Sequence, residues 1–397
     1  MIPHSVIARL FGAATMQRWN DRVRPVELTE LDKQAHKAMI AFLLGKFEED
    51  RGADVDWILL IEGLLFEFFP RLVLTDIKAP LYHQLMKTHG TAIRAHVLRQ
   101  IRPELEAWDS TLTDRFERYL CDEDESPLER RVLKAAHYLA TQWEFRIVQH
   151  ANPFMYGLET TQREIEHQLE DFIDLLGVRK IHLQRKAHGF VDLCGQLRFQ
   201  QRWAQTPRLP RTTVLGHSLF VALMVYLASL ELGACPRRCR NNFFCALFHD
   251  LPEVFTRDII SPVKKCVEGL DRFIEAEERR MVEARLLPLL PDAWHPQVRY
   301  YLEDPFCNKI REHGIVTALD WSQLHDAHNR DEYEPLDGEM IKGFDDLAAL
   351  VEAHESVATG IHPRPLREAI EFFQKKYRDR HTGPIAWYDY FAPFQAS

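Results

Sequence analysis

The chain has 397 residues, 46% of them apolar, and a formal net charge of −9. That length supports one or two self-sufficient cores without metal or disulfide staples. The acidic balance, with no basic stripe, argues against a nucleic-acid partner. The seven cysteines, an odd number without paired C-x-x-C spacing, suit free thiols in a reducing cytoplasm better than a disulfide framework or a closed zinc site. No uninterrupted apolar run reaches membrane-spanning length, so the expectation is a cytoplasmic protein without a membrane partner.

In chain order, helical periodicity dominates and period-two runs joined by tight turns are scarce, which predicts an all-α class. His36 opens a first apolar helix, and LFEFFPRLVLTDIKAPL follows at 65–81, then VLKAAHYLATQ at 132–142. A boundary is expected near 152–175, after Asn152-Pro153, dividing the chain into 1–160 and 161–397. His217 opens HSLFVALMVYLASLEL at 217–232, apolar nearly all round as in a buried core helix and stopped by Gly233. LFHDLPEVFTRDIISPV follows at 247–263 and IVTALDWSQLH at 315–325. Amphipathic helices are predicted over 271–287, 345–358 and 366–378, with Pro-containing loops at 205–211, 288–296 and 360–365.

The two halves repeat one another. Segment 65–81 aligns with 247–263 without a gap, sharing Leu, Phe, Pro, Asp, Ile and Pro. Trp19 pairs with Trp203, His36 with His217, Asp76 with Asp258 and His137 with Asp320, at offsets of 181 to 184 residues. A nearly constant offset over four landmarks predicts two tandem copies of one helical domain.

The chemistry concentrates in the second copy. His217, His249-Asp250 and Asp320 offer imidazole and carboxylate, which suit Mn²⁺, Co²⁺, Fe²⁺ or Mg²⁺. Adjacent helical residues point about 100° apart, so His249 and Asp250 can reach one ion only where a helix ends, and Leu251-Pro252 supplies that end. Asp320 interrupts the apolar run 315–319, where a carboxylate is costly to bury without a partner. A lone His on an apolar helix is more often a core residue, so the reading rests on the set.

Three stretches carry a resemblance: 197–228, with Arg202-Trp203 and His217; 246–264, with HD-x-x-E-x-x-x-x-D; and 317–324, with Asp320. Together they resemble the HD-domain phosphohydrolases, most of all the bacterial 5′-deoxynucleotidases. The resemblance implies that His217, His249, Asp250 and Asp320 are metal ligands and that Glu253 and Asp258 act on the attacked phosphate. It places Arg202 and Trp203 near phosphate and sugar. Thr256 and Lys264 are further candidates for nucleotide contact, against readings as a cap and a solvated charge. Gly216 and Arg257 depart from the family, which commonly has an acidic residue and a small residue there. The implied activity is hydrolysis of a nucleoside 5′-monophosphate to nucleoside and phosphate. The alternatives are a dNTP triphosphohydrolase, a cyclic-nucleotide phosphodiesterase, or a non-catalytic nucleotide-sensing module.

At the matching positions the first copy has His36, Glu67, Phe68 and His137. Phe68 removes one ligand, so a structural half is preferred over a second, altered site formed by His36, Glu67 and His137. Two fused copies would also imitate, within one chain, the symmetric dimer common in the family.

Overall fold

The computed structural model describes residues 1–74, 77–122, 126–257 and 267–395. The chain separates into two compact units, Ile2–Arg179 and Lys180–Ser397, the latter with Met1. The sequence placed the division at 160/161.

The N-terminal unit is helical: α1 His4–Gly12, α2 Glu30–Asp50, α3 Trp57–Leu74, α4 Ala79–Glu106, α5 Ser110–Cys121, α6 Pro127–Ala151 and α7 Leu158–Glu170. Helix α8, Leu176–His182, runs across the division. Helices α2 and α6 pack together at the centre. Thr29 starts α2 by accepting a hydrogen bond from the Asp32 N–H, a cap that satisfies one of the otherwise orphaned first-turn donors.

Helix α2 buries charge as well as apolar surface. Glu30, Lys33, His36 and Lys37 are all nearly inaccessible. A network makes this tolerable. Arg18 Nη1 lies 2.7 Å from Glu30 Oε2 and Arg18 Nε 2.9 Å from Glu144 Oε2. Trp19 Nε1 donates to the same Glu144 oxygen at 2.9 Å, and Gln34 donates to Glu30 at 2.6 Å.

Burial alone would raise the Glu30 carboxyl, but Arg18, Lys33 and Arg71 outweigh it and hold the group at about 2. A folded value below the unfolded one gives stability that is present above about 4.3 and lost as pH falls toward 2. Glu30→Gln should therefore flatten the pH dependence of unfolding free energy between pH 5 and 2, by up to about one proton in slope. Denaturant titrations across that range test it, and an unchanged slope would refute the assignment.

The C-terminal unit comprises α9 Lys186–Gln196, α10 Val214–Glu231, α11 Pro236–Phe248, the single turn α12 Glu253–Thr256, α13 Leu270–Met281, α14 His295–Leu302, α15 Gly338–Ala358, α16 Arg364–Tyr377 and α17 Trp387–Phe391. Helix α10 is long and apolar enough to cross a membrane, yet 89% of it is buried within the protein. It packs on α11 and α15 as the axis of this unit. Each large apolar side chain buried there contributes roughly 1.5–3 kcal/mol.

Two small antiparallel hairpins interrupt the all-α pattern: β1 Lys309–Glu312 with β2 Ile315–Ala318, and β3 His381–Thr382 with β4 Ile385–Ala386. The first turns through His313 and Gly314, both at positive φ, the backbone that a two-residue hairpin loop requires. Strand β2 is exposed, with Ile315 at 69% and Val316 at 52%. The apolar run before Asp320 is thus a surface strand and not part of a buried helix. The match of 132–142 to 315–325 fails accordingly, because 132–142 lies within α6.

Helix α15 carries contacts in the C-terminal unit that are similar to those of α6 in the N-terminal unit. Arg202 Nε lies 3.2 Å from Glu352 Oε2, and Trp203 Nε1 donates to that oxygen at 2.8 Å, as Arg18 and Trp19 do to Glu144. Trp19 and Trp203 both sit at positive φ, 54° and 57°. Isolated bridges join Gln17 to Thr29 and Gln201 to Thr213. Thr213 caps α10 as Thr29 caps α2, accepting from the Gly216 N–H.

Candidate metal centre

Three elements of the C-terminal unit deliver the site. The Thr213 cap fixes the first turn of α10 and places His217 one turn in. Helix α11 stops at Phe248 and His249 is its C-terminal cap residue. Leu251 and Pro252 then turn the chain into α12, so His249 and Asp250 sit at the helix end that the sequence required. The third element is α15, which brings Asp345.

The ligating atoms of His217, His249 and Asp345 lie within 4.8 Å of one another. His217 Nε2 is 3.0 Å from Asp345 Oδ1 and 3.8 Å from Asp250 Oδ2. His249 Nε2 is 3.3 Å from Asp250 Oδ1 and 4.0 Å from Asp345 Oδ1. His249 Nδ1 faces the Ala246 carbonyl at 2.7 Å. A carbonyl only accepts, so the ring proton sits on Nδ1 and the Nε2 lone pair points into the cluster. That buried Nε2 has no hydrogen-bond partner. A lone pair aimed at two carboxylates is unsatisfied without a cation, and a divalent ion fits this donor set.

Two carboxylates behind the cluster are held ionised. Burial would raise the Asp345 carboxyl, but Lys342, then His217 and His249, hold it well below the usual range. Lys342 Nζ is 2.6 Å from Asp345 Oδ2. Burial also opposes Glu352, but Arg202, Arg208 and His217, with a hydrogen bond from Thr212, hold it at about 2. Glu352 Oε1 is 3.8 Å from His217 Nδ1. Arg202 bridges outward, its Nη1 3.7 Å from Asp250 Oδ2.

The structure brings together His217, His249 and Asp250 but not Asp320. Asp320 is exposed, and its carboxylate accepts from the Gln323 N–H at 2.8 Å while Gln323 Oε1 accepts from the Asp320 N–H at 3.2 Å. That reciprocal pair is a capping box for the helical turn that follows. The late carboxylate is Asp345, which the sequence reading missed together with Glu352. The usable signal was spacing: Asp345 precedes Glu352 by seven residues, as His137 precedes Glu144.

Glu253 is buried at the start of α12, where Gln200 Nε2 donates to its carbonyl at 2.9 Å. Trp203 is occupied by Glu352, and Thr256 donates to Glu278 at 2.7 Å, fastening α12 to α13. Asp258 and Lys264 lie outside the described residues.

In the N-terminal unit His36, Glu67 and His137 do not gather into a ligand set among the described residues. Lys37 pairs with Glu67, and Lys33 with His137 Nδ1. His36 stacks edge-on against Trp143. Lysine nitrogens thus occupy donor atoms that a second metal would need.

Residues 194–373 match a family model described as an HD domain. The 5′-deoxynucleotidase of Pasteurella multocida (strain Pm70) is 23% identical over 199 residues, 47% of this chain and 93% of that protein. No solved structure matches the chain. The match to the HD-domain model spans every residue of the His–Asp cluster, so the C-terminal unit carries an HD domain built around that cluster.

Proposed function

We propose that the C-terminal unit hydrolyses nucleoside 5′-monophosphates to nucleoside and phosphate, using one divalent ion held by His217, His249, Asp250 and Asp345. The observation that carries this reading is the His249 Nε2 lone pair, turned toward two carboxylates and a second imidazole by the Nδ1 contact to Ala246. Mn²⁺, Co²⁺, Fe²⁺ and Mg²⁺ all accept such mixed nitrogen and oxygen donors. When bound, the ion supplies a water of lowered pKa and polarises a phosphoryl oxygen.

The chain's own groups do the rest. Arg202 offers a planar fork of donors to phosphate oxygens, anchored from behind by Glu352. Glu352 faces His217 Nδ1, which favours a proton there and leaves Nε2 for the ion. Glu253, buried at the first position of α12, is the carboxylate that the family resemblance assigns to hold or move a proton. The name of the 23% identical relative supports a deoxynucleotide as substrate. The Arg–Trp–Glu arrangement and capping threonine common to both units support reading the N-terminal unit as a second HD-type scaffold.

The test is a product assay with defined metals on a panel of mono-, tri- and cyclic nucleotides. Inorganic phosphate from monophosphates, lost in EDTA, restored by one divalent ion and lowered about 100-fold or more by His249→Ala, is the expected result. Release of triphosphate, or of monophosphate from cyclic substrates, would assign the site to another reaction. Full turnover by His249→Ala in metal-free buffer would end the metal reading.

A further inference from the structure

The N-terminal unit contains a cavity of about 1070 Å³, lined by residues of α2, α3, α4, α6 and α7. Among the described residues its wall carries nine lysine and arginine side chains against three carboxylates, Asp21, Glu67 and Glu164. This inverts the C-terminal cluster, where carboxylates converge to attract a cation. The inversion is positional. His137 stands seven residues before Glu144 on α6, as Asp345 does before Glu352 on α15, and Lys33 holds its Nδ1. Glu67 aligns with His249, and Lys37 with Tyr119 engages its two oxygens.

We propose that this cavity is a metal-independent binding site for a small organic phosphate of nucleotide size, with lysine side chains standing where the other unit would hold an ion. Three observations carry it. First, Lys37 is buried in the cavity wall beside Glu67, and the nine cations of that wall outnumber its three carboxylates; a phosphate dianion is a partner that satisfies such excess charge. Second, Arg71 and Lys134 line the cavity with no ion pair among the described residues, resting over the Tyr82 and Phe172 rings at 5.0 and 5.9 Å. Third, those rings, with Tyr138 and Trp19, give the same wall flat apolar surface for a base or sugar. The crowding of cations also shows in His137, where burial first, and then Lys33, Arg71 and Lys37, push the imidazole well below its usual range.

The experiment uses the full chain carrying His249→Ala, in EDTA, so that hydrolysis at the other unit is silent. Calorimetry with AMP, inorganic phosphate and adenosine reads the site. Saturable binding of one AMP per chain is expected, weakening as salt rises, with no binding of adenosine. Arg71→Ala with Lys134→Ala should weaken AMP by roughly tenfold or more. Lys37→Met, which keeps its apolar stem volume, should do the same, and circular dichroism checks its folding. If it does not fold, the Arg71/Lys134 variant decides alone. Absence of AMP binding in EDTA, binding unchanged by the Arg71/Lys134 pair, equal binding of adenosine, or AMP no tighter than inorganic phosphate would each overturn the proposal. None of these outcomes bears on the C-terminal reading, which is tested by turnover with metal.

Discussion

Asp345→Ala is expected to lose its bound metal and at least about 100-fold in kcat, while Asp320→Ala keeps full metal content and turnover within about twofold. The two aspartates differ in what surrounds them. Asp345 Oδ1 lies 3.0 Å from His217 Nε2, inside the buried cluster, and Lys342 on its other oxygen keeps it charged. Removing it takes away the α15 carboxylate nearest the His217 Nε2. The fold should survive, because Lys342 retains Asp346 Oδ1 at 3.0 Å. Asp320 is exposed and only caps a turn, so its loss costs about 1 kcal/mol locally. Elemental analysis of metal per chain, alongside kcat, reads both variants. Metal retained by Asp345→Ala and lost by Asp320→Ala would reverse the assignment.

The contrast explains what could be read from the sequence. His249-Asp250 was legible because Pro252 forces the helix to end there, and only a helix end lets both side chains face one point. His217 was legible because it enters an apolar helix behind a capping threonine. Asp320 misled because a five-residue apolar run, 315–319, looks the same in a buried helix and in a mostly exposed strand. The capping-box spacing of Asp320 to Gln323 was the contrary local signal. Asp345 was obscured by its neighbour: in Phe344-Asp345-Asp346 the two carboxylates point about 100° apart, and pattern alone does not say which turns inward. In the structure Asp346 accepts from Tyr377 Oη at 2.8 Å and pairs with Lys376, leaving Asp345 for the histidines. The N-terminal unit shows the same limit. The loss of a ligand at Phe68 was visible, but the positioning of Lys33 and Lys37 on the remaining donors depends on how α2 packs against α3 and α6. The all-α class survived because helical periodicity spans long segments, whereas the two hairpins rest on only two to four residues per strand.

Asp337→Ala should be the most destabilising single substitution in the C-terminal unit outside the apolar core. Arg238 is fully buried, donating from Nε to Asp337 Oδ2 at 2.7 Å and from Nη2 to Oδ1 at 2.5 Å. Asn242 Nδ2 adds a bond to the same carboxylate at 2.6 Å, and the Asp337 N–H returns one to Asn242 Oδ1 at 2.8 Å. Truncating Asp337 leaves a guanidinium in the interior with His325 Nδ1 3.2 Å from its Nη1. Stranding a buried charge in this way costs about 3–5 kcal/mol, or roughly 6–20 °C in Tm for a unit of this size. The damage should reach the site, because Arg238 lies in the first turn of α11, whose far end presents His249, and Asp337 begins α15, which presents Asp345. One ion pair thus ties together the starts of two helices that meet again at the metal cluster. The variant should therefore lose metal affinity as well as Tm. Arg238→Met combined with Asp337→Leu removes both charges and should recover much of the stability, since the penalty comes from the unpaired guanidinium and not from the absence of the pair. A single variant with wild-type Tm, or a double variant no more stable than the single, would show that the pair does not hold these helices in register.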